Sequence, residues 1–317
     1  DAAGGADVSR ALGLVLGYVA DRVVPDPTRF HPVAGFGQLA SALEARTYQP
    51  TRGRGAGYAA VLVGATVSAG VLVERATHSR RVLNTLCTAT ATWAVLGGSS
   101  LEREALAVSR LLEEGRLDDA RDRMTHLVGR DTRNLDESEI ARAAVESVAE
   151  NTSDAVVAPL VLGALAGIPG LLGYRAANTL DAMVGHRNER YLDFGWASAR
   201  LDDLLNLPGS RLTAVLAATL GPSPRGAFDA WRRDAADHPS PNAGPVEASF
   251  AGGLGIRLGG INRYGDRTEH RVVLGSGRAT TRHDIKRVVD LARHVDLAAV
   301  LVASVLASRK RLGGRAS

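Results

Sequence analysis

Cysteine is almost absent from this 317-residue chain: Cys87 alone, within an apolar segment, excludes an internal disulfide and any cysteine-based zinc site. Lysine is nearly as scarce. Of 38 basic residues only Lys286 and Lys310 are lysine, and neither follows a glycine, so no Walker A loop exists. There is no GxSxG nucleophile elbow, no HExxH, no strand-then-GxGxxG unit, no internal repeat and no low-complexity tract. Aromatics are 4% of residues against 45% hydrophobic, so burial must rely on Ala, Val, Leu and Gly, small residues that let helices approach closely. The net charge of +4 is modest and no basic stripe alternates with aromatics, which argues against a nucleic-acid partner.

What remains is a helical composition rich in arginine, the side chain suited to forked contacts with carboxylate and phosphate. The chain is organised around residues 142–200. Two charged blocks there, Glu146 to Asp154 and Asn178 to Arg200, flank the uncharged run Ala155 to Tyr174, an arrangement that a water-soluble core helix seldom needs. That run is interrupted by Gly167-Ile168-Pro169-Gly170, predicting a broken helix that spans or re-enters a bilayer. Val8–Val24, Tyr58–Val73, Val82–Gly98 and Leu212–Gly221 are further apolar runs, although the mean hydropathy of −0.02 is low for a protein that crosses a membrane many times. If every run spans, successive polar blocks fall on opposite faces, a conflict that re-entry of Ala155–Tyr174 would relieve. The expected fold is all-α: one polytopic integral membrane domain over 1–317, with a soluble helical insertion at about 101–150 and a long polar, glycine-rich loop at about 222–294.

Leu101–Asp131 reads as two amphipathic helices punctuated by Gly115 and Gly129, and a further helix is predicted from Asp136, an N-cap with Glu139 three positions on. Glu146 and Glu150 are four apart on that helix, and Asp154 lies one more step along. Carboxylates so placed repel unless a cation lies between them, and magnesium is the natural one. The competing reading pairs Arg142 with Glu146 and leaves Asn151, Ser153 or Asp154 as a helix cap. The early loop DPTRFHPVAGFG keeps Asp26 and His31 close together, either as a solvated turn or as a ligand-facing pair. Dense glycines from 244 to 265 free backbone N–H groups to face an anion.

The blocks AAVESVAENTSDAVVAPL, YRAANTLDAMVGHRNERYLDFGWASARLDDLLNLPGSRLTA and DHPSPNAGPVEASFAGGLGIRLGGINRYG, preceded by DPTRFHPVAGFG, resemble the CobD/CbiB family of adenosylcobinamide-phosphate synthases, in order and over nearly the whole chain. Gly244-Pro245-Val246-Glu247 departs from the bulkier pattern expected there. The resemblance implies a multi-pass cell-membrane ligase that joins adenosylcobyric acid to (R)-1-aminopropan-2-ol or its O-phosphate, with ATP as co-substrate and Mg2+. Its partners are then the lipid bilayer and small molecules, and a homo-oligomer is compatible with it. It further implies that Glu146, Glu150 and Asp154 hold the metal, that Glu146, Glu150, His31 and His238 serve catalysis, with His31 or His238 as base, and that Asn151, Asp181, Arg187, Arg190, Arg200, Asn242, Asn262 and Arg263 bind substrate or phosphate. A looser resemblance, to AmpE-like proteins linked to β-lactamase induction, implies a non-catalytic membrane sensor or regulator instead.

Overall fold

A computed structural model describes residues 2–24, 32–129, 131–264 and 267–309, and the side chains of these apart from 2–7, 261–270 and 309. The chain is mostly helical: α1 (Ala2–Val23), α2 (Pro32–Thr47), α3 (Arg52–Thr77), α4 (Arg81–Val95), α5 (Gly98–Glu113), α6 (Leu117–Met124), α7 (Glu137–Thr152), α8 (Ala158–Val184), α9 (Trp196–Leu220), α10 (Pro224–Asp234), α11 (Ala243–Leu254) and α12 (Arg282–Arg309). It divides into two compact units. The first contains residues 1–97, 158–209 and 300–317, and the second 98–157 and 210–299.

The first unit is built on α1 against α4 and α3 against α8. Its aromatic core lies where α2, α3 and the end of α8 meet: Tyr58, Leu62, Leu180, Val184 and Phe194 are buried together, and the Phe194 ring lies 5.1 Å from those of Tyr48 and Tyr58. Two helical stretches among the described residues are long and apolar enough to cross a membrane, α3 and the 48-residue stretch Glu137–Val184. The second stretch is not regular. Pro159 lacks the N–H that would bond to Ala155, and just before it the helix widens into a π segment at Ser153–Val157. A second break comes at Gly167, where φ 67° and ψ −148° lie in a region open essentially to glycine. A Cβ there would run into the Glu74 carboxylate, which is itself held by Arg10 Nη2 at 2.7 Å. Arg10 also donates to the Ala164 carbonyl at 3.5 Å, so an ion pair satisfies backbone next to the break. Gly167→Ala is therefore expected to cost about 2 kcal/mol or more. Thermal unfolding in detergent measures this, and an unchanged midpoint means that the break relaxes around a side chain.

In the second unit α7 begins as predicted. The Asp136 side chain accepts from the Glu139 N–H at 2.8 Å and the Glu139 side chain accepts from the Asp136 N–H at 2.9 Å. Almost every residue of α7 from Ile140 to Ala149 is buried, which an amphipathic pattern alone does not foretell. Residues 222–294 are not a loop. After the N-cap Ser223 and Pro224 come α10 and α11, then a small sheet of β1 (Ile256–Tyr264), β2 (Arg267–Leu274) and β3 (Arg278–Ala279), and then the start of α12. The sheet order is β2-β1-β3, with β1 antiparallel to β2 and parallel to β3. The fold is thus helical with a small sheet rather than all-α. The glycines that suggested a loop make a bulge between Leu258 and Gly260 in the β1–β2 register. At Gly259, with φ 73°, a Cβ would meet the Val272 carbonyl, so only glycine fits.

Candidate functional site

Each unit gathers a set of charged side chains that includes residues singled out from the sequence. In the second unit the set is centred on Glu146, which is 6% exposed on the inward face of α7. Its Oε1 accepts from the Gly259 N–H at 2.8 Å, so the bulge of β1 is pinned to α7 by a charged acceptor. Arg142, one turn earlier, brings Nε to 3.8 Å from Oε1, and Arg271 on β2 brings Nη1 to 4.0 Å from Oε2. Arg271 and Glu146 also act electrostatically on His238. His238 Nε2 stands 4.0 Å from Oε1 of Glu247, a second buried carboxylate, on α11.

Burial pushes the His238 imidazole below its ordinary value of 6.5 and the Arg271 charge adds to this, while the Ser240 backbone and Glu146 oppose it, leaving a neutral ring at pH 7. Its Nδ1 lies 3.1 Å from the Ser240 N–H and 3.3 Å from the Ser240 carbonyl. In the tautomer that accepts from the N–H, the ring proton sits on Nε2 and faces Glu247. In the other, Nδ1–H donates to the carbonyl and Nε2 is the basic atom. The HPSPN turn that carries His238 is held from α9: Asn242 Oδ1 accepts from Ser210 Oγ at 2.8 Å and from Arg211 Nη1 at 3.3 Å, and Arg211 also donates to the Pro241 carbonyl at 2.8 Å.

In the first unit, Asp181 near the end of α8 lies within electrostatic reach of His186 and of Asp203 on α9. Asp203 in turn feels Arg187 and Arg200, and Arg200 Nη1 is 3.5 Å from its Oδ2. Asn178 Nδ2 donates to Asp202 Oδ1 at 3.3 Å. Arg187 and Arg200 are exposed at the rim of this group.

Several side chains expected to act on a ligand have other partners. Arg190 donates to Glu44 Oε1 at 2.9 Å, lies over the Tyr48 ring at 4.3 Å, and shares Glu44 with the Tyr191 hydroxyl. It ties the loop after α8 to α2, a pairing across 146 positions that no local spacing announces. Asn151 bonds back to its own helix at the Ser147 carbonyl, 2.9 Å away, and Asn242 positions its turn. Among the described residues no group of three or more His, Cys, Asp or Glu is placed to hold a metal ion. The expected trio is not assembled as a cage. Glu146 faces Gly259 and the arginines, Glu150 is exposed, and Asp154 falls in the π segment, whose wider turn breaks the one-face spacing of an α-helix. Magnesium held by three carboxylates does not fit these residues. His31, with Asp26, lies outside the described residues, and so do the side chains of Asn262 and Arg263 on β1.

Glu247 and Arg271 were not foreseen. Glu247 had a signal: it is the only charge in AGPVEASFAGG, and an acid inside an otherwise uncharged helix is costly unless it is partnered. Arg271 had none, because only the antiparallel pairing with β1 brings it opposite Gly260.

The fold and the charge sets define a helical protein whose second unit holds a buried acid and two arginines at a glycine bulge. The family model described as CobD/Cbib protein matches residues 14–292. Cobalamin biosynthesis protein CobD of Mycobacterium tuberculosis H37Rv is 50% identical over 96% of this chain and 97% of its own length. Proteins of the same name from Chromobacterium violaceum and Clostridium perfringens are 42% and 36% identical, over 90% and 93% of this chain and 92% and 97% of theirs. No solved structure matches the chain. This chain belongs to the CobD/CbiB family.

Proposed function

We propose that this protein is the ATP-dependent amide synthetase of cobalamin biosynthesis that joins adenosylcobyric acid to (R)-1-aminopropan-2-ol or its O-phosphate, working as a multi-pass protein of the cell membrane. The observation that carries this reading is family membership over nearly the full length, with a 50% identical relative named for cobalamin biosynthesis. The membrane part is supported by the two long apolar helices and by aliphatic side chains left exposed on α1, α3 and α4, among them Leu12, Val61, Leu72, Val82 and Leu86.

The chemistry needs two transfers. A carboxylate oxygen of the corrinoid attacks the γ-phosphorus of ATP, which enters as its magnesium complex, and ADP leaves. The amine nitrogen then attacks the acyl phosphate carbon, inorganic phosphate leaves, and one amine proton passes to a base. Arg142 and Arg271 suit the developing charge on transferring phosphate. The neutral His238, backed by Glu247, suits the proton transfer in its Nδ1–H tautomer.

Purified protein in detergent, given ATP, adenosylcobyric acid and either amine, is expected to release ADP and yield the amide in equal amounts, detected by mass. A folded preparation that makes no amide with either amine rejects the reading. The regulator alternative has no observation in its favour.

A further inference from the structure

The glycine bulge of β1 also forms one wall of a hollow of about 380 Å3 within the second unit. Ser138 and Arg142 of α7 close one side, Arg257 and Leu258 of β1 continue the wall, and Val273, Ala279 and Thr280 complete it. Among the described side chains, no carboxylate lines it. Glu146 lies outside the lining, its Oε1 on the Gly259 N–H and 3.8 Å from the Nε of Arg142. The two hydroxyls stiffen the wall: Ser138 Oγ donates to the Thr280 carbonyl at 3.3 Å, and Thr280 Oγ1 donates to the Arg257 carbonyl at 2.9 Å. Among the described side chains, the charged groups that line the hollow are therefore two guanidiniums. Arg142 reaches over the backbone of Gly260, its Nη1 3.6 Å from where a Cβ would stand, and φ 91° there favours glycine. Arg257 is exposed and makes no ion pair with any described residue, so an incoming anion displaces no described carboxylate from it.

We propose that this hollow binds a terminal phosphate group between Arg142 and Arg257. Two guanidiniums with no described acid in the lining favour a dianion over a carboxylate, and forked donors match phosphate oxygens. The volume suits a small phosphate ester and is far too small for a corrin ring with its side arms. Two sources share the chemistry, the phosphorylated amino-alcohol and the terminal phosphate of the nucleotide. Naming these two rests on the amide-synthetase reading; phosphate binding itself does not.

Arg257→Gln is the variant of choice, because replacing an exposed side chain is expected to leave thermal unfolding like the parent's, and Arg257→Lys is the conservative control. Binding of inorganic phosphate, the amino-alcohol phosphate, ATP and the unphosphorylated amino-alcohol is followed by calorimetry, independently of turnover. Arg257→Gln is expected to weaken inorganic phosphate and one of the two phosphorylated ligands about 10- to 100-fold, with partial recovery in Arg257→Lys and the unphosphorylated amine unaffected. Weakening confined to the amino-alcohol phosphate assigns the site to the amine, and weakening confined to ATP assigns it to the nucleotide. Unaltered binding of all three phosphates in Arg257→Gln, or no phosphate binding by the parent, overturns the proposal. A protein that binds phosphate at Arg257 but makes no amide sinks the synthetase reading alone.

Discussion

Glu146→Ala is expected to lose about 3 kcal/mol of stability and at least about 100-fold in the amide synthesis proposed above, whereas Glu146→Gln keeps most of the stability and little of that activity. The alanine leaves the Gly259 N–H without its acceptor and removes the negative charge that faces Arg142 and Arg271. Glutamine still accepts from Gly259 but no longer balances the two guanidiniums. They would then draw apart or take up another anion, and the bulge they adjoin would shift. A displacement of about 1 Å at a phosphate-transfer site is enough for a loss of about 100-fold. Thermal unfolding in detergent and product formation are to be measured on both variants. Full synthesis by Glu146→Gln would reduce Glu146 to a strut between α7 and β1.

Asp284→Ala should cost about 3 kcal/mol, a fall in midpoint of roughly 6–12 °C if the second unit melts on its own. Asp284 is fully buried in the first turn of α12. Its carboxylate accepts from Arg278 Nη1 and Nη2 at 2.7 and 2.8 Å, from Arg287 Nη1 at 2.7 Å and from the Thr281 N–H at 2.9 Å. Arg287 goes on to the Leu254 carbonyl at 2.9 Å, so one acid joins β3, α12 and the end of α11. Burial alone would raise this carboxyl. The bonds from Arg278, the Thr281 N–H and Arg287 outweigh it and hold the group below its ordinary 3.8. The folded chain then binds this proton more weakly than the unfolded one. The contribution is complete above about pH 4 and is lost as the pH falls through the lowered folded value. Stability of the parent should therefore drop more steeply than that of Asp284→Asn as the pH falls below about 4, the two approaching each other toward the lowered folded value. Parallel curves would mean that Asp284 titrates normally.

The capping box of α7 and the break at Gly167 were legible because each depends on residues a few positions apart: a side chain reaching its own helix end, or a proline and a glycine refusing helical geometry. The strands were not. Gly259 and Gly260 interrupt the alternation by which a strand announces itself, and β1 becomes recognisable only when β2 lies beside it. The expected metal trio assumed an unbroken α-helix: Glu146 and Glu150 keep that spacing within α7, whereas Asp154 falls in the π segment before Pro159, and no cluster of three ligands forms among the described residues.

Composition, the order of apolar and charged blocks and the long motifs determined by themselves that this chain is helical and that it belongs to the CobD/CbiB family, because those properties are sums over local patterns. Which acid meets which arginine was decided only by the tertiary structure. Arg190 joins Glu44 rather than a phosphate, and Glu146 meets the N–H of Gly259, 113 positions away. A charge is stabilised by whatever stands within a few ångströms of it, and distance along the chain says nothing of that.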